Sequence, residues 1–223
     1  MSKITYKFKF SDDHESKYVI DLNRNKDNVE AVSDVPWTQL DFNKCENCPL
    51  NSKETKNCPP AIDVERAMHE FQNILSSDIV KTYVETNDRT YYKECDAQTS
   101  LKALMGLIMA TSLCPILKKL KGLAFYHLPF ASFEETIFRA ISDYLLKQYF
   151  KFKNNKNPDW SLSELSEYYE QIQMVNVAFF ERIKVASKAD ANLNAVVSFS
   201  SQSQLISFAL DEYLENLAKQ FSE

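Results

Sequence analysis

Lys3-Ile4-Thr5-Tyr6-Lys7-Phe8-Lys9-Phe10 decides the fold class. Ile4, Tyr6, Phe8 and Phe10 alternate with Lys3, Thr5, Lys7 and Lys9, the two-residue period of a strand with one face buried and the other in water. The polar turn Ser11-Asp12-Asp13-His14-Glu15 lets Lys17–Leu22 return as a second strand, giving an N-terminal hairpin over residues 1–24. Ile79–Val84 and Arg89–Cys95 predict another hairpin around Thr86-Asn87-Asp88, with Tyr83, Tyr91 and Tyr92 as strand-favouring residues. The longer periodic segments elsewhere are helical, so the chain reads as α+β and mostly helical.

Helix signals fill most of the remainder. A helix is predicted from about Pro60, since proline suits a first helical turn, with Val64, Met68, Phe71 and Leu75 on one face. Asp96 is placed to cap a helix carrying Leu101, Leu104, Leu107 and Ile108 as far as Thr111, with a short helix after Cys114-Pro115. Ser132-Phe133-Glu134-Glu135 has the form of a capping box ahead of Ile137, Ile141, Leu145 and Tyr149. Ser161-Leu162-Ser163-Glu164 repeats that form ahead of Leu165, Tyr169, Ile172, Val175, Phe179 and Ile183. Pro158 in the polar link between them predicts an antiparallel helical hairpin. Residues 190–199 read as a short helix or strand, Ser198–Ser203 as a loop or weak strand, and Leu205–Phe221 as a last amphipathic segment. The expected organisation is one domain over 1–223, with five or six helices and two small β-hairpins. Residues 23–35 read as polar loop, 36–60 as a loop-rich cysteine segment and 61–223 as the helical body.

Composition narrows the function classes. The 223 residues are 44% hydrophobic and 13% aromatic, enough for a substantial core. A formal net charge of −5 does not favour non-specific attraction to nucleic acid or to an anionic membrane. No apolar run approaches the ~18 residues that span a bilayer. The charged, alternating start does not resemble a signal peptide, so a cytoplasmic protein is expected. Only two glycines occur, Gly106 and Gly122, so neither a Walker loop nor a dinucleotide fingerprint can be built, and the glycine-flanked serine of a nucleophile elbow is also absent.

The sharpest chemical signal is Cys45-x-x-Cys48 followed by Cys58. Two thiolates separated by two residues can chelate one ion across a tight turn, and zinc and iron–sulfur sites both use that spacing. There are five cysteines, an odd number; in a reducing compartment they are expected as thiols or ligands rather than as a disulfide framework. Spacing does not fix a fourth ligand: Cys114, Cys95, His127 and His69 are candidates. Cys114 is preferred because Cys114-Pro115 repeats the Cys-Pro pairs at Cys48 and Cys58, and proline stiffens a ligand loop. The competing reading makes these residues small buried hydrophobes.

Phe42-x-x-Cys45-x-x-Cys48-Pro49-Leu50, Cys58-Pro59, Cys114-Pro115-Ile116-Leu117, His127-Leu128-Pro129-Phe130-Ala131, Glu134-Glu135-Thr136 and Asp190-Ala191-Asn192-Leu193-Asn194-Ala195 together resemble the signature of an uncharacterised bacterial protein family. The resemblance covers about residues 37–197 and implies no activity. It favours Cys114 over Cys95, which lies outside the signature stretches.

Other candidates carry bland readings beside them. His127 in an aromatic setting suits metal binding or base chemistry, or is a hydrogen-bonded core histidine. With Glu134 and Glu135 it could form an acid–base centre, although Glu135 is also the capping-box partner of Ser132. Asp190, Asn192 and Asn194 could orient a ligand or cap a helix. Lys147, Lys151, Lys153 and Lys156 among Tyr149, Phe150 and Phe152 could contact nucleic acid, but fit a solvated helix end better. The leading expectation is a zinc-stabilised module, metal bound by Cys45, Cys48, Cys58 and Cys114, acting through protein or small-ligand binding. The alternatives are an iron–sulfur redox protein or sensor on the same cysteines, and an enzyme centred on His127, Glu134 and Glu135.

Overall fold

Alternation at the N-terminus produces β1 (Lys3–Lys9), which pairs antiparallel with β2 (Glu15–Asp21) and places Ile4, Tyr6 and Phe8 in the core. The computed structural model describes residues 3–12, 14–24, 32–208 and 210–221, and nothing of the side chain at 207. Asp13 of the predicted turn and residues 25–31 of the predicted loop over 23–35 therefore lie outside the described residues.

The second hairpin forms as read, β3 (Ile79–Glu85) with β4 (Thr90–Asp96). The two hairpins are not separate units. β1 also pairs antiparallel with β3, Tyr6 opposite Val84 and Phe8 opposite Thr82, so they merge into one sheet of order β2-β1-β3-β4. The reason is shared burial: Tyr6, Phe8, Val80, Thr82 and Val84 all face the core, and a lone two-stranded hairpin is marginal in water. Thr82 satisfies its buried hydroxyl by donating to Ser100 Oγ at 2.8 Å.

Helices cover that face. α1 (Pro59–Glu70) buries Val64, Ala67 and Met68, and Arg66 and Glu70 tie it to Tyr18 of β2 by a cation–π contact and a short hydrogen bond. α2 (Ala97–Thr111) starts where expected, with Asp96 accepting from the Thr99 amide at 2.8 Å, and is apolar nearly all round, the pattern of a central buried helix. A 3-10 turn (Leu117–Leu120) and the short α3 (Lys121–Phe125) follow. A Cβ on Gly122 would lie 1.8 Å from Asp143 Oδ1, so only glycine admits that carboxylate beside α3. α4 (Phe133–Lys153) opens with the predicted box: Glu135 N donates to Ser132 Oγ at 3.1 Å and Ser132 N to Glu135 Oε2 at 2.8 Å.

Three expectations are corrected. The second capping box does not form: α5 (Ser163–Ala186) is entered through Leu162 in the left-handed region, and Asp159 accepts from Glu164 N at 2.9 Å and from the hydroxyls of Ser161 and Ser163. A carboxylate offers more acceptor capacity than the serine it displaces. The close helical pair is α5 with α6 (Ala191–Phe208), whereas α4 and α5 meet through side chains near their link, as in the Tyr144–Tyr168 ring contact. Residues 191–208 are one helix instead of a short element and a serine loop. Ser201 and Ser203 return their hydroxyls to the carbonyls of Val197 and Phe199 one turn back, which lets serines continue a helix. α7 (Leu210–Phe221) ends the described chain, so there are seven α-helices among the described residues rather than five or six. None of the described helices is long and apolar enough to cross a membrane.

Candidate metal centre

From residue 32 to α1 the described chain has almost no regular structure beyond a 3-10 turn at Pro36–Thr38, yet it is closed at its base. Leu40 N donates to Lys56 O at 2.9 Å and Cys58 N to Thr38 O at 2.8 Å, a two-point antiparallel clasp beside the bridge of Gln39 with Asn57. Inside the clasp, Cys48 N donates to Cys45 O at 3.0 Å, the tight turn that the two-residue spacing requires. Asn43 takes a positive φ of 41° at the approach to that turn, a conformation asparagine tolerates.

α5 holds this loop at two places. Asn47, between the paired cysteines, donates to the carbonyl and the side-chain oxygen of Gln171 at 2.9 and 2.8 Å. Arg182 donates to the carbonyls of Trp37, Gln39 and Leu40 at 2.8, 2.6 and 2.8 Å. Gln171 and Arg182 are eleven residues apart, close to three turns at about 3.6 residues each, so one helix face carries both grips. Arg182 is only 1% exposed and forms no ion pair among the described residues; its Nε has no partner. Burying a guanidinium against neutral carbonyls alone is costly, because the cation gives up water without meeting a counter-charge.

Two of the thiols, Cys45 and Cys58, lie within the field of that cation. Burial pushes the Cys45 thiol up to about 12, and the neighbouring Cys58, Cys48 and Cys114 add to the shift while Arg182 opposes it. Burial likewise raises Cys58 to about 11, opposed by Arg182 and by the Ala61 amide, with Cys114 and Cys48 acting against ionisation. Cys114 is raised by burial and by Cys48, and its sulfur accepts from the amides of Leu117 and Ile116. Each of these thiols thus lies within the electrostatic reach of the others. Cys58 and Cys114 both stand at the start of helical turns whose amides aim at sulfur, an arrangement that favours a thiolate.

The other proposed fourth ligands lie elsewhere. Cys95, at the end of β4, hydrogen-bonds with Ser100 Oγ at 3.3 Å and is influenced by Asp96 and Lys93 rather than by the other cysteines. His69 is exposed on α1. His127 hydrogen-bonds Tyr6 at 2.5 Å, and burial together with Arg139 lowers it to about 3. Glu135 is taken up by the capping box, and Glu134 accepts from Ser132 Oγ at 2.9 Å. The two glutamates border a depression with Phe133 and Tyr213, whereas His127 borders two others with Arg139, so the three do not form one acid–base centre.

The donor set is four soft sulfurs within one another's electrostatic reach, with amides directed at two of them and a buried cation that forms no ion pair among the described residues. As they stand, no three His, Cys, Asp or Glu side chains among the described residues are already set to hold one ion. The thiols are gathered but not closed. Arg182 is the residue sequence reasoning missed. Its signal was an arginine at the end of the apolar stripe Leu165–Ile183, next to Ile183, where a surface helix would carry its cation outward.

Comparison with known proteins gives a family and no function. A family model described as a domain of unknown function, DUF6901, matches residues 4–222. The chain belongs to that family. No curated protein and no solved structure matches it. The match spans nearly the whole chain, so for a DUF6901 member the sheet, the cysteine loop and the helices all fall within the family's domain.

Proposed function

We propose that this DUF6901 protein is a metal-binding module in which Cys45, Cys48, Cys58 and Cys114 ligate zinc, fastening the cysteine loop to the helical body so that the ordered surface can bind a protein or small ligand. What supports this is that the four thiols fall within one another's electrostatic reach, and that two of them, Cys45 and Cys58, also feel a buried guanidinium with no ion pair among the described residues. Four thiolates on one divalent ion carry a net charge of −2, and Arg182 offsets half of it. Without metal, burial keeps the Cys45, Cys58 and Cys114 thiols protonated and Arg182 stays uncompensated. Structural zinc supplies ~10 kcal/mol or more of apparent binding free energy, ample to draw four loosely gathered thiols together.

The test is elemental analysis and thiol counting on the untagged protein, with Cys48→Ser beside it. One zinc per chain, lost in the variant together with protease resistance over residues 36–60, supports the reading. A metal-free chain whose loop resists protease as well as the metal-treated protein overturns it.

One observation favours a second reading. The four thiols fall within each other's electrostatic reach, which would serve a group larger than one atom as well as a single ion. An iron–sulfur cluster is held by four such cysteines, and hydrogen bonds to sulfur tune its potential. Anaerobic purification separates the two: a brown protein with charge-transfer bands is a cluster, and a colourless one with zinc is the module.

A further inference from the structure

A second site lies away from the cysteines, between α2, α3, the start of α4 and α6. A cavity of about 120 Å³ opens there, with apolar walls that include Leu107, Leu123, Phe130 and Phe199. It has room for a small organic molecule and not for a nucleotide. Gly106 and Phe199 both line it and lie close together, a Cβ on Gly106 standing 3.4 Å from that ring.

The polar groups on this wall are biased in charge. Lys102 and Arg139 both line the cavity, with the amide of Gln202 and the hydroxyl of Thr136, and no carboxylate does. Arg139 is fixed in place, donating to the carbonyls of Leu123 and Tyr126 at 2.8 and 2.7 Å. Lys102 is half-buried, and among the described residues its ammonium has neither a hydrogen bond nor an ion pair. Burial and Lys93 lower its proton affinity; Asp96, which opposes this, spends a carboxylate oxygen on the Thr99 amide. His127 is neutral at ordinary pH and adds no charge. Asp143 and Glu135 lie in the field of Arg139 but do not line the cavity, so a partly buried ammonium with no hydrogen bond or ion pair among the described residues shares an apolar cleft with an anchored guanidinium and no carboxylate on its wall.

We propose that this cavity binds a small monocarboxylate with a short apolar body, on the scale of butyrate or benzoate, its carboxylate against Lys102 and Arg139 and its body against Leu107, Phe130 and Phe199. The apolar walls argue against inorganic phosphate, whose four oxygens would need more donors than the cavity presents. A monocarboxylate places one charged end at the cations and lets the rest of the molecule displace water from carbon. This inference does not rest on the metal reading.

The experiment titrates the full-length protein with butyrate and benzoate, with butyramide, benzamide and inorganic phosphate as controls, followed by saturation-transfer NMR and calorimetry. The expected result is saturable 1:1 binding of a carboxylate, at least about tenfold weaker for its amide and for Lys102→Met, the variant keeping its circular dichroism. Lys102→Gln, which retains a hydrogen-bond donor, is expected to bind weakly but measurably, and serves if the methionine variant does not fold. Equal binding of the amides, undiminished binding by both variants, binding of phosphate alone, or no binding of either carboxylate at millimolar concentration would each overturn the assignment.

Discussion

Arg182→Met tests how the cysteine loop is held. The substitution keeps the length of the side chain and removes all its donors. Of the three carbonyls that Arg182 serves, Gln39 O also accepts from Phe42 N, so it keeps a partner. Trp37 O and Leu40 O have Arg182 as their hydrogen-bond donor and lie in buried residues, Trp37 8% and Leu40 1% exposed. Leaving a buried acceptor without a donor costs about 1–3 kcal/mol, so two of them cost about 2–6 kcal/mol. One term opposes this: a buried guanidinium pays for its own desolvation, and replacing whole ionic groups by apolar ones can stabilise a protein. Here only the cation is replaced and the carbonyls remain, so destabilisation wins. A central loss of about 4 kcal/mol is a large part of a typical total of about 5–15 kcal/mol. For a chain of this size it lowers Tm by about 8–16 °C, at about 2–4 °C per kcal/mol. Urea unfolding of the metal-free protein at neutral pH, with calorimetry alongside, measures both. Arg182→Lys should fall between, since an ammonium reaches fewer of the carbonyls. A methionine variant within about 1 kcal/mol of the parent would refute the clamp.

Further outcomes follow from other contacts. Cys114→Ser is expected to lower metal content as much as Cys58→Ser, while Cys95→Ser leaves it unchanged; elemental analysis of the three variants decides. Asp159→Ala removes the acceptor that opens α5 and should cost about 1 kcal/mol in urea unfolding at neutral pH. Its amide and hydroxyl bonds hold the Asp159 carboxyl below the usual range, so that contribution is present above about pH 4 and lost on acidification, and parent and variant should converge in acid. His127, lowered by burial to about 3, stays neutral when folded while its unfolded form takes a proton below about pH 6.5. Its contribution is therefore complete above that pH and is lost as pH falls towards 3, about 2 kcal/mol by pH 5. His127→Asn should flatten this slope, read as the difference in unfolding free energy between pH 5 and pH 7.5.

The strands, the first capping box and the start of α2 could be read from the chain because each depends on residues close in sequence. Asp96 and Ser132 act within four positions of themselves. The joining of β1 to β3 was not legible, since alternation marks a buried face but not its neighbour. Asp159 displaced Ser161 because three short-range acceptors competed for one helix start, and spacing alone does not rank them. α6 was hidden by serines whose helical compatibility depends on hydroxyls turned to the preceding carbonyls. At the cysteine site, the two-residue spacing gave the Cys45–Cys48 turn directly. The placement of Cys114 beside it, and of Cys95 apart from it, comes from tertiary packing. Arg182 escaped notice because a buried arginine is rare, and its partners are main-chain oxygens that a sequence does not display.

The pairing of β1 with β3 has a consequence for the order of events in folding. Lys7 faces Tyr83, and everything between them, including Cys45, Cys48 and Cys58, is a closed ring once those strands meet. Cys114 stands outside that ring, beyond β4 and α2. A nascent chain can bring the first three sulfurs together early, in a local encounter. On the metal reading proposed above, the fourth sulfur could join the other three only where α2 has brought it beside the closed ring, so full coordination would report on a finished tertiary structure.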